Sequence, residues 1–283
     1  YELLNISEGR ILYRNFKKYG YLDMKGNIVI PAKFDDAFPF HEGKATASVK
    51  QKFGYLNQEG SWFIEPSFDK ASSFDEGMAI VEVNGGSGLL DAKGNWKLKP
   101  IQKKIEYAGE GLYRVLRTVG WGVIDSIGNE IIPCKYGNIS NFEEGTAIVN
   151  NGQYSGLITS SNRFLLPYST SKMTPCDNGT IRMFQNNAWC YYFRHTGNQL
   201  SNTCYEKAYD FSEGLAKIVM EGNIGFVDTT GNIAIQPQFE NAYDFKYGRC
   251  RARIDKEWGF IDATGKFIIQ PNYEHVSDFF AEE

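Results

Sequence analysis

A glycine recurs at a fixed interval along this chain, and that interval constrains the fold more than any other feature. It lies in the segments YGYLD, FGYLN, SGLLD, WGVID, SGLIT, IGFVD and WGFID, at Gly20, Gly54, Gly88, Gly122, Gly156, Gly225 and Gly259. The successive intervals are 34, 34, 34, 34, 69 and 34 residues, and Cys190 takes the glycine position inside the long interval. Such self-similarity is the signature of a tandem repeat.

A second glycine recurs in the same register, usually directly after a glutamate. It occupies Gly9, Gly43, Gly77, Gly111, Gly145, Gly179, Gly214 and Gly248. Two independent markers in one register define a single array of eight units across residues 1–283. The units are approximately 9–42, 43–76, 77–110, 111–144, 145–178, 179–213, 214–247 and 248–283.

Each unit carries the signals of three short strands. Residues 45–49 alternate small and branched side chains at period two, which predicts a strand with one packed face. The aromatic-Gly strand follows, and a turn such as Asp23–Gly26 leads into an apolar strand, Ile28–Ile30. A proline, here Pro31, is expected to end that strand because it cannot donate to the ladder.

Two aromatic positions recur in the roughly ten-residue connection between units, and we expect their rings to join one unit to the next. The first position holds Phe34, Phe68, Tyr136, Tyr205, Phe239 and Tyr273. The second holds Phe40, Phe74, Phe142, Phe211, Phe245 and Phe279.

These patterns predict an all-β chain of eight three-stranded antiparallel β-meanders stacked in tandem. An open, solenoid-like stack is favoured because 34 residues are few for a four-stranded blade; a closed, eight-bladed propeller-like ring is the alternative. The fifth and sixth units depart from the pattern, with Asn162, Cys176 and Cys190 at consensus positions and one residue inserted before Gly197. These clustered departures indicate either sequence drift or a specialised surface.

The repeat resembles the WG-repeat (KWG-repeat) family, which has the consensus Trp-Gly-Phe-Ile-Asp followed by a glycine turn. Residues 258–262 match that motif throughout and residues 121–125 nearly so, while Tyr19, Phe53 and Ile224 replace the tryptophan elsewhere. The resemblance covers essentially the whole chain. It implies a bacterial binding or scaffold module, often one part of a larger protein, without catalytic residues.

Composition narrows the classes of partner and compartment. The net charge of −4 with interspersed signs predicts no nucleic-acid binding, and no apolar run is long enough to span a bilayer. The first ten residues do not have the pattern of a signal peptide. The five cysteines, Cys134, Cys176, Cys190, Cys204 and Cys250, show no CxxC spacing, so we expect them to be reduced thiols. Reduced thiols favour a cytoplasmic location without excluding export.

No residue pattern indicates catalysis, a metal or a cofactor. The recurring aspartates lie three residues before glycine and are interpreted as turn formers, at Asp23, Asp91, Asp125, Asp228 and Asp262. The three histidines, His41, His195 and His275, fall at different repeat positions. A Cys190–His195 nucleophile is conceivable but lacks an orienting partner. The chain is therefore expected not to be an enzyme.

One face of the array is predicted to bind a partner. The third residue after the second glycine points away from the packed strand face, and it is basic in four of the last five units. These residues are Arg114, Arg182, Lys217 and Arg251, with Arg249 and Arg253 on the same face. In a regular stack they would form a cationic column suited to an acidic protein segment, although an ordinary solvated face is the simpler interpretation.

The predicted function is therefore protein–protein interaction or scaffolding. The alternative is a carbohydrate-binding, cell-envelope module that uses the aromatic positions Trp121, Trp189 and Trp258, with Tyr19 and Phe53 as equivalents. Packing between repeats is the simpler role for those rings.

Overall fold

A computed structural model describes residues 1–169 and 171–278, and every regular element in these ranges is a β-strand. The all-β prediction is confirmed. The chain divides into two compact units, residues 1–141 and 142–283. Within the described ranges, no helix could cross a membrane.

The first unit holds sixteen strands. They are β1 (Glu2–Ser7), β2 (Arg10–Asn15), β3 (Lys18–Asp23), β4 (Ile28–Phe34), β5 (Ala45–Val49), β6 (Lys52–Leu56), β7 (Trp62–Phe68), β8 (Lys70–Ala71), β9 (Met78–Val83), β10 (Gly86–Asp91), β11 (Trp96–Gln102), β12 (Lys104–Tyr107), β13 (Tyr113–Arg117), β14 (Gly120–Ile124), β15 (Glu130–Tyr136) and β16 (Asn138–Ile139).

The described part of the second unit holds fourteen strands. They are β17 (Thr146–Asn150), β18 (Ser155–Thr159), β19 (Phe164–Ser169), β20 (Lys172–Pro175), β21 (Thr180–Gln185), β22 (Ala188–Phe193), β23 (Lys207–Ser212), β24 (Leu215–Met220), β25 (Asn223–Asp228), β26 (Ile233–Phe239), β27 (Asn241–Ala242), β28 (Cys250–Ile254), β29 (Glu257–Ile261) and β30 (Phe267–Tyr273).

The strands form small antiparallel sheets, one for each repeat. In the first unit the sheets are β1–β4, β5–β7, β8–β11 and β12–β15, and in the second unit β20–β22, β23–β26 and β27–β30 follow the sheet that contains β17–β19. Most sheets have a short extra strand at one edge, contributed by the connection from the preceding repeat. The expected three-stranded meander is thus usually a four-stranded sheet. The argument that 34 residues are too few for four strands is wrong, because the first of the four strands comes from the connection that precedes the repeat.

The last strand of a regular sheet continues through its proline. Pro31 lies inside β4 and Pro237 inside β26, so the expectation that proline ends the strand is wrong. The pairing register shifts beside each of these prolines, between Tyr19 and Tyr21 in one sheet and between Ile224 and Phe226 in another. At such an irregularity the chain can accommodate a residue without an amide hydrogen.

The strand glycine is required by the same irregularity. A Cβ atom placed on Gly225 would lie 2.6 Å from the carbonyl oxygen of Ile235 and 2.7 Å from the nitrogen of Pro237. The equivalent atom on Gly20 would lie 2.5 Å from the carbonyl oxygen of Ile30. The last strand crosses so close to the glycine that no side chain fits between the two backbones.

The core lies between consecutive sheets, where the aromatic positions of the connections are buried. One cluster joins Tyr21 and Phe34 of the first sheet to Leu56 of the second through Phe40. Phe245 likewise packs against Phe226, with ring centroids 5.0 Å apart. The role predicted for these rings is confirmed for most of them; Tyr273 is 50% exposed, and Phe279 lies outside the described residues.

The glutamate before the second glycine joins neighbouring repeats. Its backbone adopts a left-handed conformation, and its carboxylate accepts a hydrogen bond from a glycine amide about 35 residues later. Glu8 accepts from the Gly43 amide at 2.9 Å, Glu42 from Gly77 at 3.0 Å and Glu213 from Gly248 at 2.8 Å. We call this contact the Glu–Gly link.

Candidate partner-binding site

The predicted basic residues lie in the second strand of their sheets and bind the connection that follows. The Arg114 guanidinium donates to the carbonyl oxygen of Ile139 at 2.6 Å, Arg182 to that of Ala208 at 2.8 Å and Arg251 to that of Val276 at 2.9 Å. In the second repeat the uncharged Thr46 makes the corresponding contact through its hydroxyl, 3.2 Å from the carbonyl oxygen of Ser72. In these four repeats the position therefore ties the sheet to the next connection, whether or not its side chain is charged.

Acidic neighbours compensate most of this positive charge. Arg114 pairs with Glu106 at 2.7 Å and Arg251 with Asp278 at 2.7 Å, and these arginine side chains are only 21% and 19% exposed.

Lys217 has similar surroundings: its ammonium lies 3.5 Å from Asp244 and 4.5 Å from the centre of the Tyr209 ring. Arg253 pairs with Glu240 at 3.6 Å, and Arg249 is exposed. Recognition of an acidic partner by these six residues stays a prediction. The contacts of Arg114, Arg182, Lys217 and Arg251 support a structural role between repeats.

The recurring aspartates close turns, as predicted. The Asp125 carboxylate accepts hydrogen bonds from the amides of Ile127 and Asn129 at 3.0 and 2.8 Å. The side chains of Asp23, Asp91, Asp228 and Asp262 accept from their turns in the same way. The pKa of each of these carboxyls lies below its ordinary value; for Asp228 the main cause is the hydrogen bond from the Thr230 hydroxyl.

The aromatic positions considered for carbohydrate stacking are half-buried within the sheets. Trp258 packs against Tyr243 at 5.7 Å between ring centroids, and Phe53 packs against Phe38 at 6.4 Å. Trp121 lies beside the Arg114 guanidinium, 5.9 Å from the centre of its ring. These contacts favour packing between repeats as the role of the aromatic series.

The sixth repeat contains a disulfide between Cys190 and Cys204, so the expectation of five free thiols is wrong. Its sheet ends at β22, and an irregular segment returns beside that strand through paired hydrogen bonds of 2.7 Å between Trp189 and Tyr205. This pairing brings the two Cα atoms to 4.4 Å. Because no regular last strand closes over position 190, a cysteine fits where other repeats require glycine.

The disulfide changes two interpretations of the sequence. It removes the basis for expecting a reducing compartment, since disulfides persist mainly in oxidising ones. It also occupies the sulfur of the conceivable Cys190–His195 nucleophile. The remaining cysteines are free, and burial raises the pKa of Cys176 to about 11 and that of Cys250 to about 12.

A fully buried arginine joins the fifth and sixth repeats. Arg194 is 1% exposed; its Nε donates to the Thr146 hydroxyl at 3.0 Å and its Nη2 to the Thr146 carbonyl oxygen at 3.0 Å. Its remaining nitrogen pairs with Glu143. A buried guanidinium is tolerated only with such partners, so the contact between these two repeats is specific.

Residues of the fifth and sixth repeats also line an open cleft of about 620 Å³. We call it the Phe184 cleft; it is lined by Leu166, Pro167, Ser169, Ser171, Met183, Phe184, Gln185, Asn186, Asn187 and Tyr192. The Phe184 ring is 36% exposed and rests against Trp189 at 5.2 Å between centroids. Asn186 and Asn187 form a left-handed hairpin turn at the rim.

The position of the cleft coincides with a gap in the aromatic series. The first aromatic position is occupied by a buried ring in most repeats, such as Phe34, Phe68 and Phe239. In the fifth repeat the corresponding residue in the sequence is Thr170, which lies outside the described residues. Gln102 also lacks a ring at this position, and another cavity, of about 370 Å³, lies there. The sequence signal for both cavities was the missing ring.

Comparison with known families identifies the repeat. A family model described as "WG containing repeat" matches residues 19–53, 53–86, 121–154, 195–223, 224–258 and 258–283, together more than half of the chain. The chain belongs to the WG-repeat family. The resemblance inferred from the motifs is thereby confirmed, and the chain is a WG-repeat module. No curated protein matches this sequence.

Solved structures show distant similarity to this WG-repeat chain. PorZ, a surface component of the type-IX secretion system of Porphyromonas gingivalis, is 11% identical with a TM-score of 0.34; the match covers 84% of this chain and 38% of PorZ. A eukaryotic initiation factor is 12% identical with a TM-score of 0.44, covering 94% and 84% of the two chains. AztD from Citrobacter koseri is 12% identical with a TM-score of 0.34, covering 79% and 77%.

Two cavities lie in segments outside the family matches. Residues 87–120 and 155–194 fall between matched segments. The Phe184 cleft lies wholly within 155–194, and the cavity at Gln102 lies wholly within 87–120.

Proposed function

We propose that this WG-repeat chain is a non-catalytic module that binds a partner protein, and that the Phe184 cleft receives an extended segment of that partner. The observation that carries this proposal is the coincidence of the cleft with loss of both the aromatic anchor and the family pattern. The recurring charged residues are engaged in turns and in contacts between repeats, which leaves the irregular repeats as the distinctive surface.

The lining of the cleft suits a peptide. Leu166, Pro167 and Met183 provide an apolar wall for side chains. The Asn187 side-chain amide can both donate and accept hydrogen bonds, as an extended peptide backbone requires, and the Gln185 carbonyl oxygen can accept one. The Gln185 nitrogen already donates to the Tyr192 hydroxyl. Its volume is within the usual range of ligand sites.

Carbohydrate binding is a second candidate because three exposed rings cluster nearby. Tyr154, Phe164 and Tyr168 are 36%, 38% and 36% exposed, with Tyr168 at 5.9 and 6.1 Å from the other two rings. Their planes are tilted by 33° and 44°, which leaves no continuous flat platform for a sugar chain. The mixed lining of the cleft favours the peptide.

The proposal can be tested by selecting a displayed library of unstructured peptides for binding to the intact chain. We expect selected peptides to lose about 30-fold in affinity on Phe184→Ala, as for truncation of a central aromatic contact worth about 2 kcal/mol. Phe16→Ala is the matched control, because Phe16 is 94% exposed on another hairpin turn; it should leave affinity unchanged.

A glycan array measured with the same three proteins and with Tyr168→Ala separates the alternatives. Peptides that bind Phe184→Ala as tightly as the parent chain would place the site elsewhere. Glycan binding that depends on Tyr168, without any selected peptide, would replace the protein partner by a carbohydrate.

A further inference from the structure

The first unit contains a small pocket at the start of the fourth repeat. It has a volume of about 280 Å³ and is lined by Ser72, Ser73, Asp75, Met78, Ile80, Tyr107 and Tyr113. We call it the Tyr107 pocket. The two tyrosine rings meet edge to face, with centroids 5.5 Å apart.

The pocket exists because the Glu–Gly link is interrupted here. The Tyr107 hydroxyl donates to Glu76 at 3.0 Å and accepts from the Gly111 amide at 3.3 Å, so the ring is inserted between the two groups that bond directly elsewhere. Relative to other repeats, a large side chain is replaced by a small one at one nearby position, and a small one by a large one at another. Ala108 takes the position of the connection phenylalanine, and Tyr113 takes a position that is alanine in the second and third repeats.

The Tyr113 hydroxyl is an unsatisfied polar group at this pocket. Its side chain is only 3% exposed and lines the cavity, and the hydroxyl forms no hydrogen bond with another residue in ranges 1–169 and 171–278. Two other buried tyrosines use theirs within the protein: Tyr21 donates to the carbonyl oxygen of Phe38 at 2.7 Å and Tyr55 to that of Ser72 at 2.8 Å. A hydroxyl that opens onto a cavity without a protein partner is free to form a hydrogen bond with a ligand there.

The surroundings are negatively charged. Burial raises the pKa of Tyr113 to about 12, and the charges of Glu76, Asp75 and Glu42 contribute in the same direction. The ligand atoms of His41, Glu42 and Asp75 also lie within 4.8 Å of one another. The nearby Lys44 ammonium lies over the rings of Phe63 and Phe74, at 5.2 and 4.7 Å.

The ion pairs of the first unit use other carboxylates, namely Glu2, Asp35, Asp69, Glu82, Asp91, Glu106 and Glu130. Glu42, Asp75 and Glu76 therefore have no ionic partner among the described residues.

We propose that the Tyr107 pocket binds a basic side chain, lysine or arginine, of the partner protein. Met78 and Ile80 contact the aliphatic stem, and the exposed face of Tyr107 attracts the cationic head. Asp75 accepts a charge-assisted hydrogen bond and the Tyr113 oxygen accepts a second. The proposal rests on the proposed function, since it assigns one contact of a protein partner. An apolar wall on one side suits an alkyl stem better than a hydrated metal ion.

The methionines allow this pocket and the Phe184 cleft to be observed separately. The chain has five methionines; Met78 lines the pocket, Met183 lines the cleft, and Met24 is 58% exposed elsewhere. We would label the methionine methyl groups with carbon-13, follow their NMR signals, and titrate the intact protein with Nα-acetyl-lysine methylamide and Nα-acetyl-arginine methylamide. N-acetyl-norleucine methylamide, which has an uncharged alkyl chain, is the matched probe.

We expect the charged probes to shift the Met78 signal to saturation at millimolar concentrations and to leave Met24 and Met183 unchanged. Asp75→Asn and Tyr113→Phe should each weaken binding by a factor of about five or more. Glu59→Gln, an exposed acid elsewhere in the first unit, is the control and should bind as the parent does. Raising salt from about 50 to about 500 mM should also weaken binding.

Equal shifts with the norleucine probe, or unchanged affinity in Asp75→Asn, would overturn the proposal. Displacement of the lysine probe by equimolar Zn²⁺ would also overturn it, because His41, Glu42 and Asp75 would then form a metal site. A Met183 response to selected peptides without a Met78 response to lysine would reject this pocket and retain the proposed function. The reverse result would retain the pocket and reject the cleft.

Discussion

Replacing Gly225 by alanine tests the claim that close approach of the last strand, and not backbone flexibility, requires glycine there. The new Cβ would lie 2.6 Å from the Ile235 carbonyl oxygen and 2.7 Å from the Pro237 nitrogen, whereas ordinary contacts begin at 3.4 Å. Strand β26 would have to move by about 0.8 Å. That displacement stretches ladder hydrogen bonds beyond their useful length.

The expected cost follows from these contacts. Losing two or three ladder bonds costs about 1 kcal/mol each, and overpacking adds about 1–3 kcal/mol. The smaller unfolded-state entropy of alanine offsets about 0.4–1 kcal/mol. We expect Gly225→Ala to lower the free energy of unfolding by about 3 kcal/mol, measured by urea denaturation followed by tryptophan fluorescence.

Gly222 in the same repeat is the matched control. It adopts a positive φ of 77° but has open space around a new Cβ. Alanine there meets only the cost of the left-handed conformation, about 1–2 kcal/mol before the same entropic offset. The reasoning is refuted if Gly225→Ala destabilises the chain no more than Gly222→Ala.

Further expectations concern the cysteines, the turn carboxyls and two arginines. Mass spectrometry of the native protein should find one disulfide and three thiols, and alkylation of Cys176 and Cys250 should require denaturation because both are buried. The folded-state pKa of Asp262 lies below its unfolded value, so its stabilising effect is complete above about pH 4 and is lost as the pH falls further. In an acid titration, the free energy of unfolding of Asp262→Asn should therefore decline less steeply than that of the parent. Arg194→Ala should lower the free energy of unfolding by about 3 kcal/mol, as measured in urea, because it removes a buried cation from its hydrogen-bonded site. Arg251→Glu should lower the melting temperature by placing a carboxylate against a backbone carbonyl oxygen, and an unchanged melting temperature would show that this residue is only a surface charge.

The sequence predicted the repeat, its turns and its aromatic packing because each depends on residues close together or on a fixed interval. It did not predict the edge strands, since β8 and β27 consist of two residues each and have no periodicity of their own. The Cys190–Cys204 pairing was hidden because it depends on an irregular return beside β22, which strand patterns do not describe.

The basic column shows a different reason why the sequence alone did not predict a residue's role. Strand alternation correctly separated Arg251 from the buried Ala252, but alternation describes only the local backbone. The arginine reaches a carbonyl oxygen at Val276, 25 residues away, and only the packing of successive repeats brings that atom near. The Phe184 cleft, by contrast, was indicated in the sequence by the missing aromatic residue in the series of first aromatic positions.

Because of the Glu–Gly link, hydrogen exchange of certain backbone amides reports on the contact between neighbouring repeats. The amide protons of Gly43, Gly77 and Gly248 are held by a carboxylate from the preceding repeat and not by their own sheets. Their exchange with solvent therefore follows separation of neighbouring repeats, even while each sheet stays intact. Gly111 bonds instead to the Tyr107 hydroxyl at 3.3 Å, so proton exchange there follows the motion of a single ring.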